Sequence, residues 1–180
     1  MRGGSLRGYQ IAQLNVGRAV AALDDARMAD FMARLDEINQ LAERSPGFVW
    51  RLQGESGNAT DLKYDDDPLF IVNLTVWESP DDLFDFTYRS DHKTVFARRF
   101  EWFERSAGPN VVLWWQPAGT IPTVEDALRR LQLLEMEGPT PEAFTFKQRF
   151  APHQKPVRGR ASDLMVRIAT RAENPRAGGR

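Results

Sequence analysis

Every second residue from Phe70 to Val76 is apolar, and this period of two predicts a β-strand that runs to Trp77. Positions 70, 72, 74 and 76 are all apolar, and the positions between them hold Ile71, Asn73, Thr75 and Trp77. Successive side chains of a strand point to opposite faces, so one face is wholly apolar and the other mixes an amide, a hydroxyl and an indole. We expect the apolar face to pack into a core and the mixed face to line a pocket.

An amphipathic helix follows this strand with almost no spacer. Ser79 fits a helix N-cap, Pro80 the first helical position and Asp82 the third, where side-chain oxygens satisfy backbone amides. One helical stripe then carries Tyr88, His92, Val95, Phe96, Arg99 and Phe103. We therefore predict a single helix that brings a phenol and an imidazole to the end nearest Trp77.

The remaining periodic segments complete a β-α-β-β-α-β order. Strands are predicted at residues 9–16, 48–53 and 110–116, and a helix capped by Asp24 or Asp25 ends before Pro46. This order is typical of the ferredoxin-like arrangement, an α+β fold in which both helices lie on one face of an antiparallel sheet.

Two further elements follow the last of these strands. A capping box of Thr123 and Asp126 predicts an extra helix that ends at Gly138, and the segment from Ala143 predicts a short strand. We expect these elements to extend the sheet or to wrap its neighbour.

Length and charge divide the chain into three parts. The 180 residues are 42% hydrophobic, which is enough for one sizeable core. We predict a flexible N-terminus at residues 1–8, one domain at residues 9–150 and a basic, Pro- and Arg-rich tail at residues 151–180. The tail has seven Lys and Arg against Asp163 and Glu173, a net charge of +5, which leaves −6 on the rest of a chain with a total of −1. An acidic body disfavours nucleic acid as a partner.

Several classes of protein are disfavoured by what the sequence lacks. It contains no cysteine, and therefore no disulfide, thiolate nucleophile or cysteine-based metal site, which fits a reducing compartment. No apolar run approaches the roughly 18 residues of a membrane span, and the start MRGGSLRG lacks a signal peptide's apolar segment. The patterns HExxH, GxSxG, GxGxxG and the P-loop are absent. We expect a cytoplasmic protein without membrane contact.

A few polar residues could carry chemistry. His92 is the sole histidine outside the tail, so a general base near neutrality is either His92 or a carboxylate with a shifted pKa. Alternatively, His92 is a partly exposed residue at a helix start. Asn73 and Asn15 either hold a substrate oxygen or satisfy neighbouring backbone groups. Tyr88 and Arg51 either orient a phenolate or an enolate, or form a rim hydrogen bond and a solvated ion pair.

The motif W-x-S-x-x-x-L (Trp77, Ser79, Leu83), followed by YRSDH at residues 88–92, resembles the signature region of the dimeric α/β-barrel superfamily. Within that superfamily, the chain resembles an uncharacterised family, a domain of unknown function, over about residues 9–150. The segments that carry this resemblance are PGFVWRL (46–52), YRSDH (88–92), EWF (101–103), LWW (113–115), PTVEDA (122–127) and GPTPEAFTF (138–146). Better-known relatives are the antibiotic-biosynthesis monooxygenases, which oxidise aromatic polyketides without metal or flavin, and the haem-degrading monooxygenases.

The resemblance implies a homodimer, and the expected surface chemistry agrees with it. Helices on one face would leave the other face uncovered, with Trp77, Ile71 and one of Trp114 or Trp115, which must point to opposite faces. We therefore expect two sheets to pack face to face around an interior cavity.

The function that follows from the resemblance is a cofactor-independent, monooxygenase-like enzyme of secondary metabolism, acting on an aromatic or polycyclic metabolite. His92, or a water that it orders, would remove a proton. Asn73 and Tyr88 would stabilise the resulting anion, and Trp77, which the relatives place near this strand end, would stack on the ring. The expected substrate-binding wall comprises Tyr9, Gln13, Asn15, Arg51, Ile71, Thr75, Trp114 and Trp115. We expect no metal and no bound cofactor.

Two alternative functions stay open. A carrier or sensor of the same shape would bind a small hydrophobic or aromatic ligand without catalysis, and Trp77 would then merely close the sheet edge. A haem-binding relative would need an axial ligand, for which the sequence offers His92 and His153.

Overall fold

A four-stranded antiparallel sheet forms the centre of the fold in the computed structural model, which describes residues 8–62, 67–90 and 92–152. The elements are β1 (Tyr9–Arg18), α1 (Ala29–Arg44), β2 (Phe48–Arg51), β3 (Phe70–Trp77), α2 (Pro80–Arg89), α3 (His92–Ala97), β4 (Val111–Pro117) and α4 (Val124–Glu137). The strand order across the sheet is β2-β3-β1-β4, and each neighbouring pair is antiparallel. The predicted α+β class is therefore confirmed. Nearly all of the predicted N-terminal segment (1–8) and of the predicted tail (151–180) lies outside the described residues.

The helix start signals read from the sequence occupy their expected positions. Ser79 Oγ accepts a hydrogen bond from the Asp82 backbone amide at 3.1 Å, and α2 begins at the residue after this cap. Thr123 Oγ accepts one from the Asp126 amide at 3.2 Å, and α4 is capped by Gly138, whose φ is +75°. Both helices therefore begin and end where the capping chemistry requires.

The predicted single helix after β3 is wrong, because it divides into α2 and α3 at Ser90. The Ser90 hydroxyl donates a hydrogen bond to the Phe86 carbonyl oxygen and accepts one from the His92 amide at 3.2 Å. Ser90 has an extended backbone, with ψ of −177°. Its side chain thus ends one helix and begins the next, a competition with helical hydrogen bonding that is typical of serine.

The strand predicted from Ala143 is reduced to a single bridge. Leu113 and Phe144 exchange two backbone hydrogen bonds, each of 2.8 Å, and no longer ladder forms there within the described part of the chain. β2 likewise ends at Arg51, before the predicted end at residue 53. The segment after α4 therefore only touches the edge of the sheet at β4.

One face of the sheet, which we call the α1–α3 face, packs against three helices. It carries Ile11, Gln13, Asn15, Ile71, Asn73, Thr75, Trp77, Leu113 and Trp115. At the Trp77 end it packs with Ala42 of α1 and Leu83 of α2. At the Ile71 end it packs with Val95 of α3.

The opposite face, which we call the α4 face, is covered by α4. It carries Ala12, Leu14, Val16, Val72, Leu74, Val76, Val112 and Trp114, all at most 8% exposed. Val124, Ala127 and Leu134 of α4 pack against them. The apolar half of β3 therefore lies in a core, as its pattern predicts.

The expectation of an uncovered sheet face is wrong. Trp77 is 0% exposed and Trp114 is 1% exposed within the single chain. The reason is that helices pack on both faces: Ala42 of α1 and Leu83 of α2 cover Trp77, and α4 covers Trp114. The homodimer stays a prediction that rests on the resemblance, without support from an exposed sheet face.

The turn before β2 lies in close contact with α2 at Gly47. Its φ is +75°, and a Cβ at this position would overlap the side chain of Asp82. Gly138 has the same φ, but nothing lies within 4 Å of a Cβ built there. We expect Gly138→Ala to cost about 1–2 kcal/mol from the left-handed backbone alone, and Gly47→Ala to cost clearly more, in chemical denaturation. Equal losses in the two variants would contradict this close contact.

Candidate functional site

Four polar residues form a compact block at the centre of the α1–α3 face. Gln13 of β1 lies opposite Thr75 of β3, and Asn15 lies opposite Asn73. Directly opposed side chains of antiparallel strands have Cβ atoms about 5 Å apart, so the four polar groups are neighbours. We call these four residues the polar block. On the other side of β1, the apolar Leu113 of β4 borders it.

Helices cover the two ends of this face but leave its middle open. Asn73 lies on β3 beyond Thr75, where the pairing with β2 ends; it is exposed, and Asn15 opposite it on β1 is partly buried. The flanking residues belong to separate packed clusters, one around Trp77 and one around Ile71. The open space above Asn73, between these two clusters, is the region that we call the sheet cleft.

A chain of hydrogen bonds connects the buried end of this face to the polar block. The indole Nε1 of Trp77 donates to Thr75 Oγ1 at 3.0 Å, and Thr75 Oγ1 donates to Gln13 Oε1 at 3.0 Å. Trp77 and Thr75 are both buried, so water does not compete for these bonds. Three residues that the sequence places in the site are thus physically linked.

Trp77 is enclosed by other aromatic rings. Phe86 of α2 stacks on it with a centroid distance of 5.0 Å and an interplanar angle of 27°, and Phe48 meets it edge-on at 5.3 Å. A ligand could stack on Trp77 only if one of these rings moved. Phe86 was not predicted as a site residue. Its one signal in the sequence is its place on α2, three residues after Leu83.

His92 lies on the far side of Phe86, with a ring centroid distance of 4.7 Å. Its Nδ1 is 3.2 Å from the carbonyl oxygen of Thr87. A carbonyl oxygen only accepts, so Nδ1 carries the proton and the neutral ring keeps a lone pair on Nε2. Burial lowers the pKa of His92 below its ordinary value, and the bond to Thr87 opposes this only in part. His92 is therefore a neutral, oriented imidazole near neutral pH.

The four residues predicted to be catalytic fall into two groups. Tyr88 is 39% exposed and packs among phenylalanines, with Phe96 at 5.6 Å, and Phe96 is also 6.3 Å from His92. Trp77 joins this aromatic group through Phe86. Asn73 belongs to the polar block, four residues from Trp77 along β3, or about 13 Å at the usual strand rise.

Arg51 has a structural partner on each side. It lies opposite Thr75, and its guanidinium donates to Glu43 Oε1 at 2.8 Å and to the Gly57 carbonyl oxygen at 2.7 Å. The side chain is 11% exposed, less than the solvated pair considered from the sequence. It joins α1 and the loop after β2 at the edge of the cleft.

The remaining wall residues divide between the two faces. Trp115 lies on the α1–α3 face, and its indole donates to the Phe150 carbonyl oxygen at 2.6 Å. Trp114 lies on the α4 face, so of the two tryptophans it is Trp115 that shares a face with the polar block. The adjacent tryptophans do point to opposite faces, as predicted. Tyr9 stands at the start of β1, beyond Ile11 and away from the polar block.

A cavity with a volume of about 290 Å³ lies at the other end of β3. It is lined by Ala22, Leu23, Asp24, Thr60, Leu62, Pro68, Leu69, Phe70 and Ile71. Of the predicted site residues, only Ile71 borders it. Leu62 and Pro68 flank a stretch outside the described residues, so we place the candidate site at the sheet cleft, where the polar side chains converge.

The described residues contain neither a cluster of metal ligands nor a membrane-spanning helix. They contain no group of three or more His, Asp or Glu side chains arranged to hold a metal ion. No helix among them combines the length and the apolar composition needed to span a membrane.

Comparisons with known proteins identify a family but no activity. Residues 10–160 match the family described as a domain of unknown function (DUF3291), so the chain belongs to that family. No curated protein matches it. The chain is also similar to the crystal structure of a protein of unknown function from Nitrosomonas europaea, at 14% identity and a TM-score of 0.41, over 67% of this chain and 99% of that chain. The predicted membership of an uncharacterised family is thus confirmed, and the link to monooxygenases stays a prediction.

The buried imidazole of His92 makes stability depend on pH. Its pKa is lowered from 6.5 in the folded chain by burial, so on acidification the unfolded chain binds the proton first. The stability is therefore fully present above about pH 6.5 and is lost as the pH falls toward the lowered value, by at most about 1.4 kcal/mol per pH unit. We expect urea denaturation from about pH 7 to about pH 5 to show this loss relative to His92→Phe, which keeps a ring against Phe86.

Groups common to both proteins cancel in this difference. Identical pH dependence of the two proteins would contradict a buried, neutral His92.

Proposed function

We propose that this member of the DUF3291 family binds a small, planar organic molecule in the sheet cleft. The observation that carries this proposal is the exposed amide of Asn73 in the open middle of the α1–α3 face, opposite Asn15 and near Gln13. Among the described residues, the side chains of Asn15 and Asn73 form no hydrogen bond. Amide groups in this position are free to bond to water or to a ligand with polar atoms of its own.

The surroundings of the polar block fit a small-molecule site. Such sites are concave and largely apolar, with a few convergent polar groups that fix orientation. Here Asn73, Asn15 and Gln13 supply the polar groups, and the cluster of Trp77, Phe86 and His92 lies toward one end. A ligand with an aromatic ring and one or two oxygen atoms matches both kinds of wall.

The ferredoxin-like arrangement is part of this proposal. The β-α-β-β-α-β order and the strand order β2-β3-β1-β4 support it. Relatives with this arrangement form dimeric barrels, and we keep the homodimer as an expectation from that resemblance. The sheet cleft lies within one chain, so binding does not require a second copy.

A second candidate function is cofactor-independent oxygenation, and the neutral, oriented His92 favours it. His92 Nε2, or a water that it orders, would take a proton from an activated methylene group, and the amides of the polar block would stabilise the anion. The carbanion would react with dioxygen. The carbon would exchange its two hydrogens for one oxygen atom as a carbonyl group, and the second oxygen atom would leave as water.

Haem binding is the third possibility. Nδ1 of His92 already donates to a backbone carbonyl, so only Nε2 could ligate iron, and the adjacent Phe86 and Phe96 would limit the approach of a macrocycle. His153 lies outside the described residues. Nothing in the geometry favours this function over the other two.

Binding in the sheet cleft is tested by filling it. We expect Asn73→Trp to weaken binding of a simple aromatic ketone, acetophenone, by at least about tenfold, because the indole would occupy the space above the polar block. Asn110→Trp, at an exposed position before β4, is the matched control and should bind as the wild type does. Ligand-observed NMR titration measures both. Undiminished binding by Asn73→Trp, or no binding by the wild type, would refute the site.

Oxygenation is tested separately by oxygen uptake with anthrone. If His92 is the base, His92→Phe should lower the rate by about 10²–10⁴-fold while acetophenone binding is retained. Lys93→Ala, at the exposed next residue, should leave the rate unchanged. A wild type that consumes no oxygen would exclude this reaction and leave the binding function standing.

A further inference from the structure

We infer that Gln13 selects the ligand, because the buried hydrogen-bond chain from Trp77 fixes its amide with the NH₂ group turned toward the sheet cleft. The ligand class is then an aromatic compound that presents an acceptor oxygen, such as a ketone, to the floor of the cleft. This inference rests on the proposed binding function and adds that Gln13 donates a hydrogen bond to the ligand.

The first step concerns the direction of the bond between Trp77 and Thr75. An indole Nε1 has a proton and no acceptor lone pair, so it can only donate. Trp77 is 0% exposed, and its Nε1 lies 3.0 Å from Thr75 Oγ1. The hydroxyl oxygen of Thr75 is therefore the acceptor.

The second step follows the single proton of the Thr75 hydroxyl. Thr75 is 6% exposed, and no buried side-chain donor or acceptor in the described part of the chain lacks a partner. The hydroxyl proton must find an acceptor, and the amide oxygen of Gln13 lies 3.0 Å away. If the NH₂ group of Gln13 faced Thr75 instead, the hydroxyl oxygen could accept a second hydrogen bond, but the hydroxyl proton would have no partner among the described residues.

The third step concerns what Gln13 then offers to a ligand. The amide is planar, so an oxygen turned toward Thr75 leaves Nε2 on the other side, near the open middle of the face. Nε2 of Gln13 makes no hydrogen bond to any described residue, and its backbone neighbour across β1 is the apolar Leu113. Gln13 is thus a donor whose direction is set before a ligand arrives, which reduces the cost of ordering it.

Asn15 and Asn73 differ from Gln13 in this respect. No side-chain hydrogen bond holds either amide within the described residues, so each can turn its oxygen or its nitrogen toward a ligand. Only Gln13 can discriminate between an acceptor and a donor. Replacing a carbonyl by a methylene group opposite it should weaken binding on the order of threefold to tenfold, the usual effect of one hydrogen bond.

The test compares acetophenone with α-methylstyrene, which has the same heavy-atom skeleton with a methylene carbon in place of the carbonyl oxygen. NMR titration should show the wild type preferring acetophenone by about threefold to tenfold. Gln13→Leu should abolish the preference. Gln132→Leu, at an exposed position on α4, should keep it.

The role of Thr75 is tested by a pair of variants. Thr75→Val removes the hydroxyl and should reduce the preference, because the Gln13 amide can then turn over. Thr75→Ser keeps the hydroxyl and should restore it. The indole N–H resonance of Trp77 should shift in Thr75→Val and stay in place in Gln13→Leu, which reports the chain directly even if stability changes.

The outcomes separate this inference from the proposed function. Equal binding of the two compounds by the wild type, or a preference that survives in Gln13→Leu, would overturn the role of Gln13 and leave cleft binding intact. Failure of both compounds to bind would overturn the proposed function together with this inference.

Discussion

The candidate site depends on one buried donor, the indole N–H of Trp77. Phe86 and Phe48 exclude water from this ring, and an unsatisfied buried donor costs about 1–3 kcal/mol. Thr75, two residues earlier on the same face of β3, supplies the acceptor at 3.0 Å. The single proton of the Thr75 hydroxyl then needs an acceptor of its own, and the amide oxygen of Gln13 supplies it. Aromatic packing at one end of the sheet thus sets the direction of a polar group in the open cleft.

The two-sided cover of the sheet decides where a ligand can lie. If the mixed face of β3 met a second copy, its polar residues would line a cavity between subunits. In the structure, α4 covers one face and α1, α2 and α3 cover the two ends of the other, so the polar block lies between helices of its own chain. Association with a second copy is therefore not needed to complete the site, whatever the oligomeric state.

Local signals in the sequence predicted the elements well, because capping is decided by neighbouring residues. Ser79 and Thr123 begin their helices as expected, and the alternation in β3 separates a core face from a polar one. The division of the long helix at Ser90 follows from a side chain that bonds its own backbone, which a hydrophobic period does not reveal.

The face of the sheet that α4 covers and the direction of the hydrogen bonds in the site could not be predicted in the same way. The apolar stripe of α4 fits either face of a sheet, so the pattern alone left its position open. The sequence did indicate Gln13, Thr75 and Trp77 as neighbours of one pocket. That they form a single hydrogen-bond chain depends on the pairing register of β1 with β3, a long-range property.

The polar block and His92 make different demands on a ligand, and an aromatic ketone meets both. In the proposed site, the donor of Gln13 faces the carbonyl oxygen, which gains negative charge when a neighbouring carbon loses a proton. A neutral His92 with a lone pair on Nε2 can accept that proton. Binding alone uses only the first interaction, whereas an enzyme needs both on one bound molecule. The two functions therefore use separable residues, Gln13 on the sheet and His92 on α3, and Phe86 packs between His92 and Trp77, where the chain to Gln13 begins.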